Sequence, residues 1–224
     1  MTKTLVLAHG AFHGPWCWHP LLTRLERQGV RCVAIDLNRG GLEADRSALQ
    51  GEVDRLNTEG CRVSVIGHSL GCPSTALLDP KTLETAIFLA GPIAGPGMPD
   101  IDGCVSPEFT NSLEPQPDGR VFLPLEIARD VFYHRCSRAD ADAALARLRP
   151  TFVYGAEAAA EPIWKAIPAT YIECTDDRAV FPDFQRASAQ VLPFSASLDA
   201  DHSPMLGQPD ALAELVLSAM ARAD

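Results

Sequence analysis

Residues 65–72 read VIGHSLGC, with Gly67 and Gly71 each two positions from Ser69. In a G-x-S-x-G pattern the serine occupies a tight corner with its hydroxyl exposed. Glycine and serine are common enough that the bare pattern arises by accident in about one chain in ten of this length. The surroundings of the pattern decide the fold. CRVSVIG (61–67) is a short, nearly continuous apolar run, as expected of a strand buried on both faces. From about Leu70 to Leu78 the chain reads as a helix that ends before Pro80. Such a strand–serine–helix corner aims the helix N-terminal N–H groups at the hydroxyl, which favours developing negative charge. Gly67 and Gly71 are expected to remove collisions that side chains would make around the serine.

The same alternation continues on both sides of the corner. TLVLAHG (4–10) is a buried strand, followed by a helix over about 16–28 that Gly29 stops. VRCVAID (30–36) is a strand, 42–59 a helix closed by Gly60, and ETAIFLAG (84–91) the strand after the corner. Strands separated by helices imply right-handed crossovers and a doubly wound, mostly parallel sheet, hence an α/β fold. Residues 92–124 break the pattern, being dense in Pro and Gly with no strong period. Helices are expected at 125–136 and at 138–148, the second behind the Ser137–Asp140 capping pair, with 149–167 irregular. The alternation resumes with PATYIEC (168–174), a helix at 182–191, FSASLDA (194–200) and a last helix from 209. The expected organisation is a core of residues 1–91 and 168–224 carrying a small, mainly helical cap insertion at 92–167.

Acidic residues outnumber basic ones, 29 to 19, for a net charge of −10. That balance argues against nucleic acid and against anionic membrane surfaces as partners. No apolar run approaches the roughly 18–20 residues that span a bilayer. The opening MTKTLVLAHG runs straight into a glycine turn rather than a cleavage site, so it reads as a strand and the protein as cytoplasmic. The seven cysteines form no C-x-x-C pair and several sit in apolar runs, which favours buried free thiols over disulfides or zinc ligands. Oligomeric state is left open, a homodimer included.

A serine hydroxyl needs a general base to act as a nucleophile. In a doubly wound sheet that base is expected beyond the last strand, at the carboxyl edge. The segment DADHSPML supplies His202 there. Of the other histidines, His9, His13 and His68 fall in loops where they would line a site. A carboxylate orienting the imidazole is expected after the preceding strand, where Asp176 and Asp177 both stand and spacing does not choose between them. The chain order Ser, Asp, His is that of the hydrolase arrangement. An oxyanion also needs backbone donors: the Leu70 N–H after the serine, and the Ala11 N–H in the turn after the first strand, where Gly10 permits close approach. Gly10, Phe12 and His13 are candidate substrate contacts. Trp16 reads as core.

Together these residues resemble the α/β-hydrolase superfamily, and within it the branch of plant methylesterases, salicylate-binding esterases and hydroxynitrile lyases with its bacterial relatives. The resemblance runs through LAHGAFHGPWCW, IGHSLG, TYIECTDDRAVFPDFQ and DHSPML, nearly the whole chain. It implies that the acid of the C-T-x-D motif is Asp177, with Asp176 in the variable position. It implies an ester-cleaving serine hydrolase for a small-molecule substrate, with no metal or organic cofactor. The lyases of this branch carry threonine where Gly10 stands and lysine where Ser203 stands, which favours hydrolysis here. Thioesterase or cyclase chemistry and a non-catalytic binding role are the other readings. The middle section is shorter than the branch's, implying a reduced cap and a more open pocket. Cys72 replaces a frequent third glycine and implies no chemistry.

Overall fold

The computed structural model describes residues 2–223; Met1 and Asp224, the ends of the expected core, lie outside the described residues. In chain order the strands are β1 (Lys3–Ala8), β2 (Arg31–Ile35), β3 (Arg62–His68), β4 (Ala86–Leu89), β5 (Glu114–Pro115), β6 (Val121–Phe122), β7 (Ala169–Cys174) and β8 (Phe194–Leu198). Six of them form one sheet in the order β2-β1-β3-β4-β7-β8, every neighbouring pair parallel. The helices are α1 (His19–Arg27), α2 (Leu42–Thr58), α3 (Gly71–Ala76), α4 (Pro107–Asn111), α5 (Leu125–Tyr133), α6 (Arg138–Leu145), α7 (Ile163–Ala166), α8 (Pro182–Ala189), α9 (Pro204–Gly207) and α10 (Pro209–Met220).

The apolar runs are continuous because helices cover both faces of the sheet. Val6, Val65, Phe88 and Tyr171 pack on one face with Leu49, Val53 and Leu56 of α2. Their neighbours Leu5, Ile66, Ile87 and Ile172 pack on the other face, with Leu21 and Leu25 of α1 and Leu212 and Val216 of α10. The two-residue strand period thus sorts one run into two cores. The chain leaves β1 for β2 on one side, and later enters β3 on the other side of β1. The strand order therefore reverses between β1 and β3, the place where a crevice opens beyond the strand ends.

The helix expected from 16 begins as a 3-10 turn, Pro15–Trp18, and becomes α-helical at His19. The helix expected to reach 148 ends at Leu145; Arg147 and Leu148 instead donate to carbonyls three residues back, the tighter pattern of a fraying end. Residues 92–124 are more ordered than their composition predicts. They contain α4, whose N-cap Ser106 side chain accepts from the Phe109 N–H, and β5, which pairs antiparallel with β6. Elements this short carry no periodic signal. Within 92–167, α5 and α6 build a third apolar cluster over Phe12, Phe109 and Ala179, while Ile93, Ile163 and Trp164 pack back onto the sheet. All seven cysteines are unbridged; Cys32 and Cys136 are partly exposed and the rest buried. Among the described residues no helix is long and apolar enough to cross a membrane.

Candidate active site

Ser69 sits between β3 and α3 with φ +50°, the left-handed region a non-glycine residue rarely occupies. Its N–H donates to the Leu89 carbonyl of β4 at 3.0 Å. A Cβ on Gly67 would fall 2.5 Å from Thr75 Oγ1, and one on Gly71 2.6 Å from the Ala8 carbonyl oxygen. The two flanking glycines therefore admit α3 against β3 and the turn against β1, rather than clearing space around the serine itself. Two other glycines face the serine, Gly10 after β1 and Gly91 just past β4. A Cβ on Gly91 would strike the Ser69 carbonyl oxygen and lie 2.8 Å from Ser69 Cα. In sequence Gly91 looks like an ordinary strand end, and no local signal marks it.

Asp177 follows β7 and is saturated with donors. Oδ1 accepts from the N–H groups of Ala179 at 2.7 Å and Val180 at 3.0 Å. Oδ2 accepts from Gln185 Nε2 at 2.8 Å and faces His202 Nδ1 at 2.7 Å. Asp176 points the other way, half-exposed, toward His134 and Arg135. Of the two aspartates that spacing left open, Asp177 is the carboxylate that meets His202.

His202 lies in the turn between β8 and α9 and is buried. Its ring is 4.7 Å from that of His68 and stacks on Phe132 of α5 at 5.4 Å. The His68 Nε2–H donates to the His202 carbonyl at 2.8 Å, tying the end of β3 to this turn. Burial and the neighbouring histidines push the His68 ring well below the usual histidine range, so it stays neutral. With Nδ1 of His202 bound to a carboxylate, Nε2 is the nitrogen left for proton exchange.

The turn after β1 is held from behind. His9 Nδ1–H donates to the Gly10 carbonyl at 2.8 Å, while its Nε2 accepts from the Leu37 N–H at 3.0 Å. The Gly10 carbonyl and the Ala11 N–H belong to one peptide group, so His9 sets the plane of that N–H. Ala11, Ser69 and Leu70 line a cavity of about 520 Å³ whose walls include Val105, Phe109, Leu113, Val153 and Tyr154 from residues 92–167. Among the residues lining it, Asp102 is the one carboxylate and there is no basic side chain.

Residues 5–215 match the family model described as the alpha/beta hydrolase family. The chain belongs to the α/β hydrolase family. It is 26% identical to methylesterase 2 of Arabidopsis thaliana over 95% of this chain and 94% of that protein. It is 27% identical to norfluorocurarine synthase 1 of Strychnos nux-vomica over 94% of this chain and 92% of that protein. Its fold matches a pyrethroid hydrolase from Sphingobium faniae with a TM-score of 0.83, at 24% identity over 99% and 98% of the two chains. A methylesterase from Arabidopsis matches with a TM-score of 0.80, at 23% identity over 98% and 99%. These relatives include the plant methylesterases that the sequence resembles.

For this α/β hydrolase, Ser69, Ala11 and Leu70 line one cavity; His202 and Asp177 pair with each other and pack against His68, the residue before the serine, and neither is among that cavity's lining residues. Gly10 lies beside the serine; a Cβ on it would be 2.8 Å from Ser69 Cβ. Phe12 and His13, expected as substrate contacts, do not line the cavity. Phe12 turns into the cluster under α5, and His13 bonds to Tyr133, so both serve the insertion. His9 and His68 are likewise buried behind the site rather than lining it. Trp16 is half-buried, stacked on His13 with the Arg147 guanidinium over its ring. Cys72 is buried, and its thiol donates to the Gly67 carbonyl at 3.1 Å. Gln185 and Phe132 carry no local signal in the sequence: Gln185 ends FPDFQ beside the acid motif, but only the fold brings it to Asp177, and Phe132 meets His202 only through α5.

Proposed function

We propose that this protein is a serine hydrolase of small carboxylic esters, acting through an acyl-enzyme. The observation that carries the reading is the buried His202–Asp177 pair at 2.7 Å, served by the same sheet edge as a serine held in a left-handed corner. Ser69 attacks the ester carbonyl while His202 Nε2 takes its proton. Asp177 keeps the proton of His202 on Nδ1 and stabilises the imidazolium as it forms. The Ala11 and Leu70 N–H groups receive the tetrahedral oxyanion. His202 then returns the proton to the leaving alcohol, and water, activated by the same histidine, releases the acid. No step calls for a metal or organic cofactor.

The walls favour an uncharged, largely apolar ester, since they offer no cation to a substrate carboxylate. A cavity of about 520 Å³ is within the range of small-ligand sites. The names of the methylesterase and esterase relatives support ester cleavage. The lyase reading has less support. The lysine that would replace Ser203 is absent, and a threonine at position 10 would press its Cβ onto Ser69. The same reading divides the chain into a catalytic core, 1–91 and 168–224, and a cap at 92–167 anchored to the core by Ile163 and Trp164.

Release of p-nitrophenol from p-nitrophenyl acetate, beside hydrolysis of acetyl thioesters, tests the assignment on wild type and Ser69→Ala. Wild-type turnover of the oxygen ester that vanishes in Ser69→Ala is the expected result. Turnover of the thioester alone would move the assignment to a thioesterase, and equal activity of wild type and mutant would remove it.

A further inference from the structure

We propose that the cap insertion holds the oxyanion loop in its working shape, with Thr151 as the positioning residue on which that hold turns. The proposal rests on the assignment of Ala11 as an oxyanion donor. Phe12, the next residue, has φ +64°. A bulky side chain in that region is unfavourable and persists only where the surroundings impose it.

The surroundings are two residues of the segment returning from α6, Arg149 and Thr151. The Phe12 N–H donates to Thr151 Oγ1 at 2.7 Å, and the Phe12 carbonyl accepts from the Arg149 N–H at 2.9 Å. Arg149 Nε donates to the His13 carbonyl at 2.9 Å, and its guanidinium pairs with Asp36 beyond β2. Thr151 is itself fixed by two backbone bonds with Val121, at 2.8 and 2.9 Å. A second arm comes from α5. The Tyr133 hydroxyl donates to His13 Nε2 at 2.6 Å, and His13 Nδ1–H donates to the Ala11 carbonyl at 2.7 Å. Burial lowers the His13 ring to about 3, so it stays neutral and holds both bonds at ordinary pH.

Every polar backbone group from the Ala11 carbonyl to the His13 carbonyl that these contacts engage is therefore tied, directly or through the His13 ring, to the insertion. Neither Thr151 nor Tyr133 lines the cavity, so they act on the reaction through the loop alone. The Thr151 hydroxyl is the acceptor for the amide of the fully buried Phe12, a donor that burial makes costly to leave unpaired. Losing it frees Phe12 to leave its left-handed conformation, which leaves the Ala11 N–H held by the His9 bond on one side and by the His13 bond alone on the other.

The test compares Thr151→Val, which keeps the shape and removes the acceptor, with Thr151→Ser, which keeps the acceptor. Turnover of p-nitrophenyl acetate is measured beside inhibition by an alkyl trifluoromethyl ketone, whose serine adduct carries an oxyanion. Thr151→Val is expected to lower kcat about tenfold or more, short of the ~10²–10³ for deleting a donor outright, with KM within about twofold. The ketone Ki should rise by the same factor, and Thr151→Ser should restore both. Unchanged kcat and Ki in Thr151→Val, or equal loss in Thr151→Ser, overturns the proposal. Should Thr151→Val fail to fold, Tyr133→Phe replaces it with the same expected KM-sparing loss, and unchanged kcat there overturns the proposal. Ser69→Ala separates the two layers. If it abolishes turnover while the cap variants do nothing, only the positioning role fails. If it keeps turnover, the hydrolase reading fails and the positioning role with it.

Discussion

His202 Nδ1 lies 2.7 Å from Asp177 Oδ2, and both side chains are sealed from solvent. A carboxylate can only accept, so the proton on this line sits on Nδ1 of the imidazole, and Nε2 is the nitrogen that faces away from the carboxylate. The remaining oxygen of Asp177 is occupied by two backbone donors, which fixes the carboxylate's direction before any substrate arrives.

Asp177→Asn is expected to lower kcat about 10³–10⁴-fold, because an amide presents its own donor and stabilises the wrong imidazole tautomer. Asp176→Asn should stay within about twofold of wild type, since its side chain faces His134 and Arg135 on the surface. Steady-state turnover of p-nitrophenyl acetate by the two variants checks this. The reverse ranking would contradict the assignment of the acid.

Gln185 is buried and connects three groups. Its amide nitrogen donates to Asp177 and to the Val180 carbonyl, and its oxygen accepts from the Cys174 N–H at 2.8 Å. Gln185→Leu is expected to destabilise the fold by about 1–3 kcal/mol or more, through the backbone groups it leaves unpaired. Activity should fall as well, because Asp177 loses one of its supports. Urea unfolding at pH 7 checks the first effect; an unchanged midpoint would contradict it.

Gly91→Ala is expected to abolish most turnover and to cost about 1–3 kcal/mol. The added methyl meets the Ser69 carbonyl, a backbone group with no room to retreat. The same variant with full turnover would show that the corner tolerates displacement.

The sheet and the elbow were legible because they depend on short-range patterns. The apolar runs at 4–8, 61–67 and 168–174 are continuous for a physical reason, burial on both faces. His202 stands out as a candidate from the position of its segment beyond the last strand alone. Gly91, Gln185 and Phe132 were not legible as site residues, since their roles exist only once distant strands or helices meet. Phe12 and His13 looked like pocket residues because they follow Ala11 in sequence. The left-handed turn at Phe12 sends both away from the cavity.

Burial, reinforced by His9 and His202, holds His13 down to about 3, and burial holds His68 well below its ordinary value. An unfolded histidine titrates near about 6.5. Between about pH 3 and pH 6.5 the unfolded chain takes up protons that the buried His13 ring refuses. Stability therefore rises with pH through this window and is lost on acidification, by up to about 1.4 kcal/mol per pH unit for each such ring. Unfolding free energies measured from pH 4.5 to pH 7 check this. His13→Gln should flatten the slope by up to one proton, and an unchanged slope would contradict the buried neutral ring.

The most direct test of the account is covalent trapping of Ser69. The protein is treated with diethyl p-nitrophenyl phosphate, digested, and mapped by mass spectrometry. The account predicts a single diethylphosphoryl adduct on Ser69, stoichiometric release of p-nitrophenol, and no adduct in Ser69→Ala. Labelling at another residue with Ser69 unmodified, or undiminished ester turnover by Ser69→Ala, would contradict it.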